Sequence, residues 1–383
     1  MKTNLTAIKA STFRYFFSLL FLIGTLPALA QVYTNKEVGK KNAERIDSIK
    51  NSEYPYALPI WGEKATKKGF SLPYSAGISM QYLWQESDLV IENLMVGFNH
   101  QEPHNLAEVV RFNSATSKAS GLNIRPDFWL FPFLNIYGLL AVSQPNTLVD
   151  YSIYVPDTSG NWREVVHLNS EANFKATTFG FGFTPTFGVA GAWVALDMNF
   201  TWSDIAELNK PAFAFVFGPR IGKSFKFKKP ESNIAFWVGG FRLRLNSGTE
   251  GSLPLNEVYD VSGLQEKVDA GLVKVNDAYE QTEAWWLSLT TTEQNNPLNQ
   301  AKYEAANRAY ASAGGMLTSF DQALNDETAA SVQYSLDKRP KDMWNFVVGT
   351  QYQYNKHWML RFEYGFLGSR TQIIAGLQYR FGI

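Results

Sequence analysis

The chain of 383 residues contains no cysteine. That excludes disulfides, thiol catalysis, thiolate-held metal and a lipid attached to a cysteine after export. Histidine is scarce, with only His100, His104, His167 and His357. His100-Gln-Glu-Pro-His104 spaces two imidazoles four residues apart, but Pro103 disfavours the helix that would aim both at one ion, and the Glu of a His-Glu-x-x-His pattern is absent. No metal and no cofactor is expected. No glycine loop for phosphate is present, since Gly180-Phe-Gly182 reads as strand alternation with small residues on one face. Charge of one sign is not in excess, with 35 basic and 35 acidic residues, so there is no electrostatic footprint for nucleic acid. After residue 30 no stretch reaches the ~18 apolar residues of a spanning helix.

What the chain has instead is alternation. Hydrophobic residues make up 45% of it, yet mean hydropathy is -0.20, so apolar residues are interspersed with polar ones rather than gathered in blocks. Ile373, Ala375, Leu377, Tyr379, Phe381 and Ile383 alternate with Gln372, Gly376, Gln378, Arg380 and Gly382, with Ile374 the exception. A strand sends successive side chains to opposite faces. One greasy face and one polar face, repeated strand after strand, is what a barrel in lipid requires, with apolar groups outside and polar groups inside. The aromatic content of 15% suits belts of Trp, Tyr and Phe at the two membrane interfaces. A soluble sandwich or barrel also alternates; the secretion signal, the Phe and Trp on the outward faces and the C-terminal strand favour the membrane.

The reading is all-β: a transmembrane antiparallel β-barrel of about ten strands, over 76–85, 118–130, 131–143, 174–184, 189–202, 211–227, 233–246, 343–354, 357–367 and 371–383. An even count puts both termini on the periplasmic side. Even joins then fall at Leu130/Phe131, Pro185–Gly188, Lys228–Ser232 and Asn355-Lys356, all short, and the long joins 86–117, 144–173 and 247–342 fall outside. Twelve strands, with one drawn from 88–99, is the alternative. The strand from 233 is expected to change phase at Gly239-Gly240, which reads as a bulge.

Residues 1–30 read as a signal peptide: basic Lys2, Lys9 and Arg14, an apolar run from Tyr15 to Leu26, and Ala28-Leu29-Ala30 before a cut at Gln31. Residues 31–75 read as a periplasmic tail. The barrel is expected over 76–246 and 343–383, and 247–342 as a helical, extracellular insert. Within the insert Val261, Leu264, Val268, Leu272 and Val275 recur at helical spacing, Asn296-Pro297 opens a second helix, and Gly314-Gly315 is expected to interrupt it. Trp285 and Trp286 are the insert's candidate binding residues; they are equally readable as its core.

Signal, alternating strands and aromatic-rich last strand together resemble the monomeric outer-membrane β-barrel proteins of Gram-negative bacteria, over roughly 76–246 and 343–383. The resemblance implies outer-membrane lipid and the barrel-assembly machinery as partners, the latter reading the last strand. That strand usually ends on an aromatic residue, whereas here Phe381 is followed by Gly382 and Ile383. The inward positions collect Arg125, Arg220, Lys226, Arg242, Arg244, Arg361 and Arg380 against Asp127, Asp197 and Glu363. A basic lumen could attract anions. A narrow barrel can equally be filled by side chains whose charges are paired, with Arg361, Glu363 and Arg380 on neighbouring strands as the expected network. No catalytic residues are expected, and His357 falls at the end opposite to where the Ser–His and Asp–His sites of outer-membrane hydrolases lie. The leading function is a non-enzymatic envelope protein with an unknown extracellular ligand; a small-solute channel and a lipid- or peptide-acting hydrolase are the alternatives. A sealed lumen would favour the first, an open one the second, and a Ser–His or Asp–His pair at the outer rim the third.

Overall fold

Period-two sequence makes strands, and strands that bury no edge must close. In the computed structural model, which describes residues 31–32, 43–189, 191–229, 231–245, 248–326 and 330–383, they do close. The strands are β1 (Ala76–Phe98), β2 (Val110–Phe131), β3 (Leu134–Pro156), β4 (Trp162–Asn173), β5 (Ala176–Val189), β6 (Ala192–Ile205), β7 (Ala212–Lys226), β8 (Asn233–Leu245), β9 (Gly248–Pro254), β10 (Ser331–Pro340), β11 (Trp344–Gln353), β12 (Trp358–Phe366) and β13 (Arg370–Phe381). Ten of them form an antiparallel ring in the order β1-β2-β3-β5-β6-β7-β8-β11-β12-β13, and β13 pairs back onto β1 from Arg370↔Ser87 to Phe381↔Ala76. The protein is therefore a closed ten-stranded barrel of the outer-membrane type. The segment 88–98 continues β1 and is not an eleventh crossing.

The outer face carries an apolar belt. Ile78, Met80 and Tyr82 on β1, Leu122 and Ile124 on β2, Leu140 and Val142 on β3, Phe179 and Phe181 on β5 and Leu360 and Phe362 on β12 are all exposed. Soluble monomers rarely expose a continuous apolar surface of this kind, which marks a face made for lipid or a partner. On β1 the belt ends past Trp84, where Glu86 pairs with Lys118 at 3.6 Å on the outside.

Short turns join the strands at one end, called here the turn end. At the other, β1, β2 and β3 run 22 or 23 residues, well past the belt. There they form two wings: β3 with β4, and β1 with β10 and β9. The faces keep their direction but exchange chemistry. Below, inward positions are polar; above, they are Leu94, Val96 and Phe98, Tyr151 and Ile153, Val166 and Leu168, all buried. The expected loops 86–117 and 144–173 are thus mostly strand. β5, expected over 174–184, also continues beyond its expected end, with Val189 opposite Ala192.

At the turn end, α1 (Ala43–Lys50) and α2 (Gly62–Lys67) lie in a segment that packs under the barrel. Trp61 sits against Phe131, with ring centroids 4.9 Å apart, the Leu58 N–H donates to the Ile383 carbonyl at 3.2 Å, and the Trp129 N–H donates to Ser75 at 2.8 Å. At the head, α3 (Leu264–Ser288) and α4 (Pro297–Leu324) form an antiparallel hairpin whose Val268, Val275, Ala313, Met316 and Leu317 close a shared core with both wings. The expected break at Gly314-Gly315 does not occur. A Cβ at Gly315 would stand 2.9 Å from the His104 ring, and Gly314 faces Val275. These glycines serve close approach, and tertiary packing overrides their low helix propensity.

Candidate functional site

Besides an open groove of about 660 Å³ along the helix hairpin, lined by Tyr279, Tyr303 and Tyr310 among others, the described residues surround a space in the lumen and one in the head. In the lumen, alternation on five strands, β2, β6, β7, β12 and β13, delivers a stack of charges. Glu363, fully buried, accepts from Arg220 Nε at 2.7 Å, from Arg220 Nη2 at 2.8 Å and from Trp237 Nε1 at 2.8 Å, with Arg361 Nη2 at 3.3 Å. Asp197 accepts from Thr184 at 2.6 Å, stands 2.5 Å from the Tyr137 hydroxyl, and faces Arg220 Nη1 at 3.4 Å and Arg125 Nη2 at 3.5 Å. The Arg125 guanidinium also lies 3.3 Å from the Tyr137 ring centroid. Closer to the turn end, Asp127 takes Arg380 Nη1 at 3.0 Å, Asn135 at 2.8 Å and Gln378 at 2.7 Å. Arg380 donates onward to the Tyr74 carbonyl at 3.0 Å. Toward the head, Asn345, Arg370 and Gln372 are buried across the lumen's other end.

The expected network is therefore regrouped. Arg361 and Glu363 do meet, but Arg220 is the strong partner of Glu363, and Arg380 belongs with Asp127 one layer away. Lys226 shares the inward phase of Arg220 at the turn end of β7. Arg242 and Arg244 are a correction. The pairings of β8 with β7 and β11 run through Gly239-Gly240 without a register shift, so no phase change occurs. Arg242 lies opposite Phe217 and the exposed Trp344, and Arg244 opposite Phe215, on the outer face. The two glycines serve close approach: a Cβ on Gly239 would stand 2.3 Å from the Pro219 carbonyl, and one on Gly240 2.9 Å from the Trp344 ring. Paired charges leave a lumen space of about 230 Å³, lined by Arg125, Asp197, Arg220 and Arg361 among others.

The head holds the second space, a cavity of about 110 Å³ between the wings. Its walls are aliphatic and aromatic, from Leu89 and Ile91 on β1, Val149 on β3, Ala172 on β4 and Leu336 on β10. Tyr151 and Tyr259 border it with their hydroxyls paired to each other at 2.7 Å. Among the described residues, Lys338 is the one charged residue in its lining. Burial holds the Lys338 ammonium below the ordinary lysine range. Burial first, and the Glu207 carboxylate second, push the neighbouring Tyr334 phenol up to about 12.

Trp285 and Trp286 stand near the far end of α3. Trp286 stacks on Tyr303 with centroids 4.4 Å apart, and the Lys302 ammonium lies 4.4 Å from the Trp285 ring. Both contacts tie α3 to α4, so the pair helps hold the hairpin together.

A Ser–His pair does occur. The Ser152 hydroxyl is 3.1 Å from His167 Nδ1, and His167 Nε2 is 3.4 Å from Asp150. Asn113 donates to both Asp150, at 2.7 Å, and Ser152, at 3.3 Å. The arrangement lacks what acyl transfer needs: Ser152 has 0% exposure, and it lines none of the cavities described above. Ser152 and His167 are direct cross-strand neighbours, and Asp150 is two residues along the same strand, so pairing on the polar outer face of a wing accounts for the cluster.

No protein-family model matches this sequence, and no curated protein matches it. Among solved structures, it resembles the transport unit of the autotransporter AIDA-I from Escherichia coli (7% identity, TM-score 0.30, covering 91% of this chain and 100% of that one). The translocator domain of autotransporter NalP from Neisseria meningitidis (8%, TM-score 0.29, 89% and 95%) and an outer membrane channel from Pseudomonas putida F1 (7%, TM-score 0.27, 81% and 97%) are similar at the same level. Likenesses this faint carry no argument about role; the barrel itself rests on the closed strand order.

Proposed function

We propose that this chain is a non-enzymatic outer-membrane protein of a Gram-negative bacterium, with the turn end in the periplasm and the head outside, and that its work is ligand binding by the head. One observation carries the reading: the lumen is crossed by paired, buried charges, while the head has a core and an apolar cavity of its own. A conducting pore needs a water path, and buried ion pairs spanning a ten-stranded barrel oppose one. Export by a signal peptide cut after Ala30 belongs to this reading, although residues 1–30 lie outside the described ones. So do outer-membrane lipid around the belt and recognition of β13 by the barrel-assembly machinery. The departure at Gly382-Ile383 has a local explanation, because the Tyr56 ring occupies the space where a Gly382 side chain would stand.

Planar-bilayer conductance of the purified protein tests the reading. Silence is the expected result; steady steps proportional to salt would replace it with the channel reading, and Arg220 and Arg361 would become the residues to mutate. Orientation is tested with Ser288→Cys, exposed at the end of α3. An impermeant maleimide should label it in intact cells, with no native cysteine to confuse the readout. Labelling only after permeabilisation would invert the topology.

A further inference from the structure

The head cavity combines two features that seldom meet without a ligand. Its walls are apolar, and an apolar cavity of this scale stays dry and accepts apolar molecules; an engineered cavity of about 150 Å³ takes benzene. Into that wall the sheet inserts an ammonium. Lys338 shares the inward face of β10 with Tyr334 and Leu336, and among the described residues no carboxylate or hydrogen-bond acceptor pairs with it. Elsewhere in the head, Asp337 accepts from Asn93 at 2.7 Å and Arg339 meets Glu92 at 3.4 Å, both on the exposed side of the same strands; Glu207 keeps one buried carboxylate oxygen without a hydrogen-bond partner among the described residues, and its charge acts on Tyr334 rather than on Lys338. The Tyr151 and Tyr259 hydroxyls are paired with each other at 2.7 Å. A half-buried cation without a counter-ion is costly, and the simplest partner is one brought by the ligand.

We infer that the cavity between the wings binds an anionic amphiphile, its apolar chain lying among Leu89, Ile91, Val149, Ala172 and Leu336 and its negative head group on the Lys338 ammonium. This rests on the reading of the head as the binding part. The chemistry is that of a free acyl carboxylate or of an anionic lipid drawn from the surrounding leaflet. Both carry a short apolar run next to a negative group, and the cavity lies beyond the end of the apolar belt, on the head side. Nothing in the cavity discriminates chain branching or ring content, so the class is set by charge and apolarity alone.

The test uses the full chain in nanodiscs of zwitterionic phospholipid. The probes are decanoate carrying a terminal CF3 group and the matching decanol, observed by fluorine NMR against nanodiscs without protein. The wild type should show a saturable bound signal for decanoate and a weaker one for decanol. Lys338→Met should weaken decanoate about tenfold or more and leave decanol unchanged, as loss of a charge-assisted hydrogen bond requires. Lys338→Arg should restore decanoate binding. Val149→Trp, which fills the cavity, should abolish both signals, and faster migration of the unboiled protein on a denaturing gel shows that each variant still folds. If anionic phospholipid in the disc displaces decanoate competitively, the membrane is the source; if it does not, a free acyl anion is. The inference is overturned if decanoate gives no saturable signal, if decanol binds as tightly as decanoate, or if Lys338→Met leaves decanoate affinity within about twofold. Conductance is measured separately, so a silent barrel that binds no decanoate would refute the ligand class and leave the sealed-barrel reading standing.

Discussion

Replacing Glu363 should be the most damaging single change in the lumen. Its carboxylate is fully buried and accepts from two nitrogens of Arg220, from Trp237 and from Arg361. Glu363→Gln keeps the shape and one acceptor, but leaves three guanidinium groups, Arg125, Arg220 and Arg361, facing Asp197 alone. Removing one member of a buried pair costs about 3–5 kcal/mol, because the remaining charge stays desolvated. At ~1.4 kcal/mol per factor of ten, the unfolding equilibrium should shift by about a hundredfold or more. The assay is reversible urea unfolding in lipid vesicles followed by tryptophan emission. Arg361→Gln is the control: its side chain is about a third exposed, at 30%, so solvent screening should hold its cost below ~1 kcal/mol. Arg220→Gln with Glu363→Gln should cost less than the sum of the singles, by about 1–3 kcal/mol, since the pair is in direct contact. Glu363→Gln within ~0.5 kcal/mol of the wild type, or strict additivity with Arg220→Gln, would refute a lumen held shut by this pair.

Gly315→Val should strain α4 against His104 and cost the head about 1–3 kcal/mol; faster limited proteolysis of the head with unchanged gel migration of the barrel is the expected pattern. A fluorophosphonate should leave Ser152 unlabelled in the folded protein; labelling that Ser152→Ala removes would revive the hydrolase reading. Brominated phospholipid should quench Trp358 on the outer face and spare Trp237 in the lumen, so Trp358→Phe should remove quenchable emission and Trp237→Phe should not. Gly382→Val should displace Tyr56 and loosen the turn-end segment, read as proteolytic release of residues before 70 with the barrel intact.

The belt was legible in the sequence because lipid imposes one rule on every strand: apolar out, polar or small in. Ile78, Met80, Tyr82 and Trp84 on β1, or Leu360, Phe362 and Tyr364 on β12, state it plainly. The charge pairing was legible only in part. Phase identified Glu363, Arg220, Asp127 and Arg380 as inward, but which of them meet depends on strand stagger, which alternation does not encode. Arg242 and Arg244 went to the wrong face because a Gly-Gly pair in a strand has two readings, a bulge or a close approach, and the phase of everything after it depends on the choice. The head was unreadable as sheet for a physical reason. Above Trp84 the apolar residues move from outward to inward positions, to Leu89 and Ile91, and β1 then gains an extra residue opposite Ser335–Asp337, with Asn93 at φ 54°. Apolar residues return to even numbers at Leu94, Val96 and Phe98. Two inversions within ten residues look like an absence of period. The Lys338 site left no signal either, because a lysine in a polar-looking segment reads as surface until the sheet shows which way it faces.

The same inversions constrain how the two halves of the molecule depend on each other. β1, β2 and β3 run from belt to head as continuous strands, β1 exchanging β2 and β13 for β10 between Asp88 and Leu89, so the register fixed at the belt is carried into the wings. A one-residue slip would turn Ile78 and Met80 into the lumen and at the same time turn Leu94 and Val96 to water. Apart from a shift between Trp129 and Phe131 at the turn end, the register irregularities among the described residues lie above the belt: between Ser335 and Asp337, between Phe112 and Ser114, and between Ile153 and Tyr154. They let one continuous strand satisfy lipid outside in its lower half and a dry core inside in its upper half. The head's cavity is therefore positioned by the barrel, and its ammonium is held at a fixed height above the belt by the pairing of Lys338 with Ile91. A binding element built in this way needs no hinge to stay aligned with the membrane; the pairing that closes the barrel also orients the site.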